Sequence, residues 1–149
     1  MGKRGEGWVF LQMILFLIIL LAPRIPPVTF PAWLRGAGLL LLVVGGVFGT
    51  WGILALGKNL TAFPKPVEGG ALVTTGPYGY VRHPIYTGLI LGTLGWAIFR
   101  ANLIGVALAL LLFVFFDLKS RQEERWLCEA YEGYGDYQRR VRKLIPWVY

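Results

Sequence analysis

Residues 72–88 read LVTTGPYGYVRHPIYTG, a polar, turn-rich and basic stretch between two greasy segments. Gly76-Pro77 and His83-Pro84 interrupt any helix, because proline lacks an N–H and restricts the residue before it. The single histidine of the chain, His83, stands between Arg82 and Pro84, with Tyr78, Tyr80 and Tyr86 around it. Pro84 opens the next apolar run, where a proline suits the first turn of a helix. A second polar stretch, Lys119–Lys143, follows the last apolar run. The two stretches are expected to meet at a membrane surface and form one site.

The composition explains why a membrane is expected. Of 149 residues, 56% are apolar and 15% charged, against about 25% charged in soluble domains. The length suits one domain, 1–149. A net charge of +7 would suit anionic headgroups or nucleic acid, and the apolar content favours lipid over nucleic acid. Cys128 is the one cysteine, which excludes an intrachain disulfide and leaves no metal-site spacing. No glycine-rich phosphate loop and no Ser/His/Asp spacing is visible.

Four apolar runs predict an all-α, polytopic fold with about four transmembrane helices, near 7–23, 33–56, 84–99 and 101–118. Residues 119–149 form a helical cap. A span needs about 20 apolar residues, so the first, third and fourth runs are short and rely on flanking residues or local thinning. The last two runs, joined through Arg100 and Asn102, also fit a re-entrant hairpin. The first run has the charge pattern of a signal peptide, with Lys3 and Arg4 ahead of it, but Pro23 directly after Ala22 opposes cleavage there. The loop Pro23–Pro31 is proline-rich and expected to be extended. With four spans, Arg24, Arg35 and Arg100 lie on one side and the other basic residues, from Lys3 and Arg4 to Lys143, on the opposite one. The positive-inside rule places that richer side, both termini and both polar stretches in the cytoplasm. Gly45 and Gly49, and Gly88 and Gly92, have GxxxG spacing and are expected to pack helices closely.

Beyond Phe116, residues 117–132 read as a charged helix leaving the membrane, with Glu123, Leu127 and Tyr131 on one face. Gly133 and Gly135 interrupt it, and a short basic segment, Tyr137–Lys143, follows before Pro146. His83 is a general base, a cofactor donor or a helix-start residue. Glu123-Glu124 is a functional pair near hydrocarbon or a solvated helix face. The Arg139–Lys143 cluster fits a headgroup patch, or an arginine that orients a phosphate or carboxylate.

The joint order GPYxYxRHPxYxG, apolar hairpin, EExxL…Y…Y…RRV…P resembles the integral-membrane superfamily of isoprenylcysteine carboxyl methyltransferases and phospholipid N-methyltransferases. The resemblance covers roughly residues 70–146. The first motif fits at Gly76, Pro77, Tyr78, Tyr80, Arg82, His83, Pro84, Tyr86 and Gly88. The second fits at Glu123, Glu124, Leu127, Tyr134, Tyr137, Arg140 and Pro146. The segment Tyr131–Tyr137 lacks the usual Phe-Gly pair, and Gly70 stands where the isoprenylcysteine enzymes tend to have histidine.

The resemblance implies an S-adenosylmethionine-dependent enzyme of helical membrane fold without a Rossmann domain. It implies cofactor binding by Ala71, Leu72, Val73, Tyr78, Arg82, His83, Pro84, Tyr86 and Glu123. Arg140 is implicated in substrate binding or catalysis, and Lys119 and Arg121 fall near the position that contacts substrate. A carboxylate such as Glu123 suits the amino end of a sulfonium cofactor, and aromatic faces suit its adenine or its cationic centre. For an amine acceptor, the proton goes to Glu124, to a water it holds, or to His83; a carboxylate acceptor needs no base, only an arginine to position it. The expected reaction is N-methylation of a phosphatidylethanolamine-type headgroup. The alternative is carboxyl O-methylation of isoprenylcysteine or a related lipidic acid. A sterol-reductase-like enzyme using NADPH, and a non-enzymatic basic membrane scaffold, are the remaining readings.

Overall fold

The computed structural model describes residues 2, 4–25 and 27–149. Lys3, counted above with the basic end, and Pro26 of the proline-rich loop lie outside the described residues. Five α-helices carry the chain: α1 (Glu6–Leu21), α2 (Ala32–Leu56), α3 (Pro84–Phe99), α4 (Leu103–Ala130) and α5 (Tyr134–Arg140). Short 3₁₀ turns lie at Gly57–Asn59 and Gly76–Gly79. Among the described residues there is no strand, only one isolated parallel bridge between Val81 and Arg142.

Helices α2 and α4 are long and apolar enough to cross a bilayer, whereas α1 and α3 have 16 residues each, below the roughly 20 of a straight span. The surface supports a lipid surrounding. Leu40 and Leu54 on α2, Phe10 on α1 and Leu110 on α4 are all more than 60% exposed, a density of outward apolar side chains that water does not tolerate over a large patch. The fourth apolar run and the charged helix after it are one uninterrupted element: α4 continues from hydrocarbon-type sequence to Ala130 without a break. That helix ends before either glycine, with Tyr131 extended at its C-cap; Gly133, at φ 84, starts α5 instead, and Gly135 lies inside α5.

Local chemistry sets the helix ends. Pro84 occupies the first turn of α3, and the Thr87 hydroxyl donates to the Leu144 carbonyl at 2.7 Å, with the His83 carbonyl 3.2 Å away as the alternative acceptor. Asn102 caps α4 by accepting from the Gly105 N–H at 3.0 Å, while its amide donates to the Ala22 carbonyl at 3.2 Å. One side chain therefore starts α4 and ties the α3–α4 turn to the end of α1. Around Leu112, Phe115 and Phe116 of α4 pack Leu15 of α1 and Tyr86 of α3.

The closest helix contact joins α2 to α3. The two GxxxG pairs lie in it, as expected: a Cβ on Gly45 would stand 2.6 Å from the Gly92 nitrogen, and one on Gly88 would stand 2.5 Å from the Gly49 Cα. The line extends past them, since Gly38 meets Gly95 and Gly52 meets Ile85 of antiparallel α3. Gly49 and Gly92 contribute backbone to this line, while a Cβ on Gly49 would stand 3.4 Å from the Gly88 Cα and one on Gly92 would stand 3.9 Å from Leu42. A Cβ on Gly95 would lie 2.4 Å from the Leu42 nitrogen and 2.5 Å from the Gly38 oxygen. Backbone stands on that side, so the helices themselves would have to separate. Gly95→Ala is expected to lower stability by about 1–3 kcal/mol in heat or detergent unfolding, while Gly46→Ala, with nothing within 4 Å of its Cβ, should be neutral or slightly stabilising.

Candidate functional site

The C-terminal tail places the site. After α5 the chain runs beside the motif stretch, where the Arg82 N–H donates to the Arg142 carbonyl at 2.8 Å and the His83 N–H to the Lys143 carbonyl at 3.2 Å. Lys143 is anchored by Asp117, with Nζ to Oδ1 at 2.6 Å, and Tyr149 donates to the same oxygen at 2.7 Å. The two polar stretches thus meet, as expected from their order.

Their meeting is a network of ion pairs. Arg82 Nε donates to Glu124 Oε1 at 2.7 Å. Its Nη1 also donates to the Gln138 carbonyl at 3.1 Å and to the Val141 carbonyl. His83 Nε2 lies 3.0 Å from the same Glu124 oxygen; an ionised carboxylate only accepts, so this nitrogen carries the hydrogen. Gln138 donates to Glu124 Oε2 at 2.9 Å. Next to this network, the Tyr86 hydroxyl donates to Glu123 Oε2 at 2.7 Å. The ring of Tyr86 is sandwiched between His83 and Phe116, with centroids 5.4 and 4.4 Å away.

In front of the network opens a cavity of about 400 Å³. Ala71, Leu72, Val73, Tyr78, Arg82, His83, Tyr86, Lys119 and Glu123 all line it. The Asn59 side chain holds the 71–73 wall by accepting from the Ala71 N–H at 3.1 Å. Gly70 has no room for a side chain, since a Cβ would lie 2.7 Å from the Tyr131 hydroxyl and 2.9 Å from Asn59 Oδ1. Burial above all pushes the phenols of Tyr78, Tyr134 and Tyr137 well up, and for Tyr134 and Tyr137 the Arg82 charge opposes it only in part, so they act as neutral donors. Tyr137 uses its hydroxyl on the Tyr78 carbonyl at 2.7 Å. The buried Tyr134 hydroxyl has no partner among the described residues, although Tyr134 lines the cavity.

Several expected site residues stand elsewhere. Pro84 is buried at the start of α3 near Gly52 rather than in the cavity wall. Glu124 lies behind His83, outside the wall, and both its oxygens are engaged. It therefore positions Arg82 and His83 and is not placed to take a proton from a substrate. Arg140 is exposed and donates to the Asp136 carbonyl at 3.4 Å. Arg121 is exposed and pairs with Asp117 at 2.7 Å. Neither arginine borders the cavity, because each projects from a helix face turned away from it. The structure adds Asn59, Phe63, Pro64, Tyr131 and Gln12 to the wall. Gln12 accepts from Lys119 Nζ at 2.6 Å. Its position as the polar break in the first apolar run was the one signal in the sequence; Asn59 and Phe63-Pro64 gave none.

The arrangement fits a compact zwitterion with an aromatic body and a cationic centre. Glu123 suits an ammonium, Tyr78 and Tyr131 offer aromatic surface, the 71–73 backbone offers edge hydrogen bonds, and the orphaned Tyr134 hydroxyl has a donor to spare.

The family model for phospholipid methyltransferases matches residues 33–133. The protein-S-isoprenylcysteine O-methyltransferase of Rattus norvegicus is 32% identical over 120 residues, covering 78% of this chain and 42% of the relative. Isoform B of Arabidopsis thaliana is 29% identical over the same share of this chain and 61% of its own length. The solved structure of a eukaryotic intramembrane Ras methyltransferase, an isoprenylcysteine carboxyl methyltransferase, superposes with a TM-score of 0.73 at 26% identity. That match covers 99% of this chain and 55% of the other. The chain thus spans about half the length of these relatives. With the family model covering most of α2–α4 and the same helical arrangement in a solved relative, the chain belongs to the phospholipid methyltransferase family of integral-membrane proteins.

Proposed function

We propose that this chain is an S-adenosylmethionine-dependent membrane methyltransferase that esterifies the carboxylate of a lipidic acceptor of isoprenylcysteine type. This reverses the order of the two substrate readings drawn from the sequence. Relatives named for isoprenylcysteine O-methylation align over 78% of the chain, and none of the relatives above is named for amine methylation.

The observation that carries the choice is Lys119. The residue is 2% exposed and lines the cavity, and its ammonium hydrogen-bonds to the neutral Gln12 amide rather than to a carboxylate. A cation held there attracts an acceptor carboxylate and repels an acceptor ammonium. An amine acceptor would also need a base, and Glu124 is committed to Arg82, His83 and Gln138. When bound, S-adenosylmethionine supplies an electrophilic methyl group, and a carboxylate accepts it with no proton to remove. The chain's part is alignment: Glu123 and the 71–73 backbone hold the donor, Lys119 holds the acceptor, and Tyr86, wedged between two rings, fixes Glu123.

In this reading α1 to α4 all cross the bilayer, α4 leaving it beyond about Leu118, and residues 119–149 form the cap of one domain. The basic bias places both termini and the cavity at the cytoplasmic face, and the acceptor's tail enters from the lipid. Incubating the purified protein with labelled methyl donor and a panel of an S-prenyl thioether carboxylate and phosphatidylethanolamine tests the choice. Base-labile label in the prenyl carboxylate is expected, with Lys119→Met raising the KM for that acceptor. Label confined to phosphatidylethanolamine would restore the amine reading.

A further inference from the structure

A second cavity of about 400 Å³ lies at the other end of the bundle. It is formed where the loop after α1 passes the start of α2, the end of α3 and the α3–α4 turn. Its lining includes Arg24, Arg35 and Arg100, with Phe30, Trp96 and Phe99, and no acidic residue. These arginines are the same three that stand apart from all the other basic residues of the sequence. Every basic residue at this end of the bundle thus converges on one cavity.

None of the three is ion-paired with a carboxylate among the described residues. Arg35 Nε donates to the Phe99 carbonyl at 3.1 Å and its guanidinium lies 5.6 Å from the Phe99 ring. Arg100 lies 5.1 Å from the Trp96 ring. Such contacts orient a guanidinium while leaving most of its five donors available. The turn that carries Arg100 is held in place: Ala101 has a left-handed φ of 51, and Asn102 ties the turn to Ala22. Three unneutralised guanidiniums around a hollow repel one another unless an anion joins them, and basic residues beside apolar spans recognise lipid phosphates.

We propose that this cavity binds the phosphate of an anionic phospholipid headgroup, on the face of the protein opposite the methyl-transfer site. The lipid is favoured over a free anion because α2, which brings Arg35 to the cavity, carries outward apolar residues on either side of it in sequence, Trp33 at 73% and Leu39 at 45% exposed, which would receive acyl chains. The proposal does not rest on the enzymatic reading.

The test reconstitutes the full chain with a photoactivatable phosphatidylglycerol and maps the cross-linked peptides. Labelling of segments 24–35 and 96–101 is expected, competed by unlabelled phosphatidylglycerol and not by phosphatidylcholine. In the triple variant Arg24→Gln/Arg35→Gln/Arg100→Gln it should fall about tenfold or more, and the corresponding triple lysine variant should retain most of it. Thermal unfolding identifies which variants are folded, and Arg100→Gln alone, expected to lose part of the labelling, serves if the triple variant does not fold. Labelling unchanged in a folded glutamine variant, or equal labelling by a phosphatidylcholine probe, would overturn the proposal. Full competition by inorganic phosphate would overturn its lipid part and assign the cavity to a soluble anion.

Discussion

Arg82→Ala is expected to be among the most damaging single substitutions in the chain. The Arg82 side chain is 10% exposed and that of its partner Glu124 9%, so water does little to compensate either charge. Removing the arginine leaves Glu124 buried with His83 and Gln138 only, and it orphans the Gln138 and Val141 carbonyls. Breaking a buried pair from one side costs about 3–5 kcal/mol. The loss should be local as well as global, because Arg82 joins the motif loop both to α4 and to the end of α5. Arg82→Lys keeps the charge but not the fork, and should recover only part of the stability. Arg142→Ala, at an exposed position on the same tail, should stay within about 0.5 kcal/mol. Heat-induced unfolding in detergent measures all three. An Arg82→Ala protein as stable as Arg142→Ala would show that the network does not hold the cap to the helices.

Glu123→Gln is expected to separate binding from folding. The Glu123 side chain is 22% exposed, lines the cavity, and accepts from Tyr86 at 2.7 Å. Glutamine keeps an oxygen for Tyr86, so the wall should keep its shape. What is lost is the negative charge proposed to meet the ammonium end of the methyl donor. Hydrogen bonds to charged groups contribute about 1.5–3 kcal/mol, so affinity for S-adenosylhomocysteine should fall by roughly tenfold to over a hundredfold. Thermal stability without ligand should change little. Unchanged affinity in the glutamine variant would remove Glu123 from the donor site.

Much of this architecture is legible before any coordinates. The ends of α3 and α4 follow from Pro84 and Asn102, whose chemistry acts within one turn of the chain. Eight of the nine residues that the motif resemblance assigns to the cofactor line the cavity: seven share one contiguous stretch, 71–86, and Glu123 arrives from α4. Pro84, the exception, is spent on opening the helix. Features that depend on how helices face each other are less legible. Gly45 and Gly49 do meet Gly88 and Gly92, yet the tight line also runs on through Gly38, Gly52 and Gly95, outside those two pairs. In helices rich in glycine many stripes look alike, and only the partner decides between them. Arg140 and Arg121 belong to the motif or lie beside it, but a helix turns by about 100° per residue. A position known only from order therefore does not reveal which way a side chain faces. Gln12 and Asn59 are lone polar residues with no periodic signal, and their roles emerge only when Lys119 and Ala71 arrive from far along the chain.

On the proposed function, the cavity between the 71–86 stretch and α4 holds the methyl donor. Isothermal titration of the folded wild-type protein with S-adenosylhomocysteine tests it most directly. One saturable site per chain is the predicted result, in detergent or in lipid nanodiscs. Absence of binding in both, by protein shown to be folded, would contradict the claim.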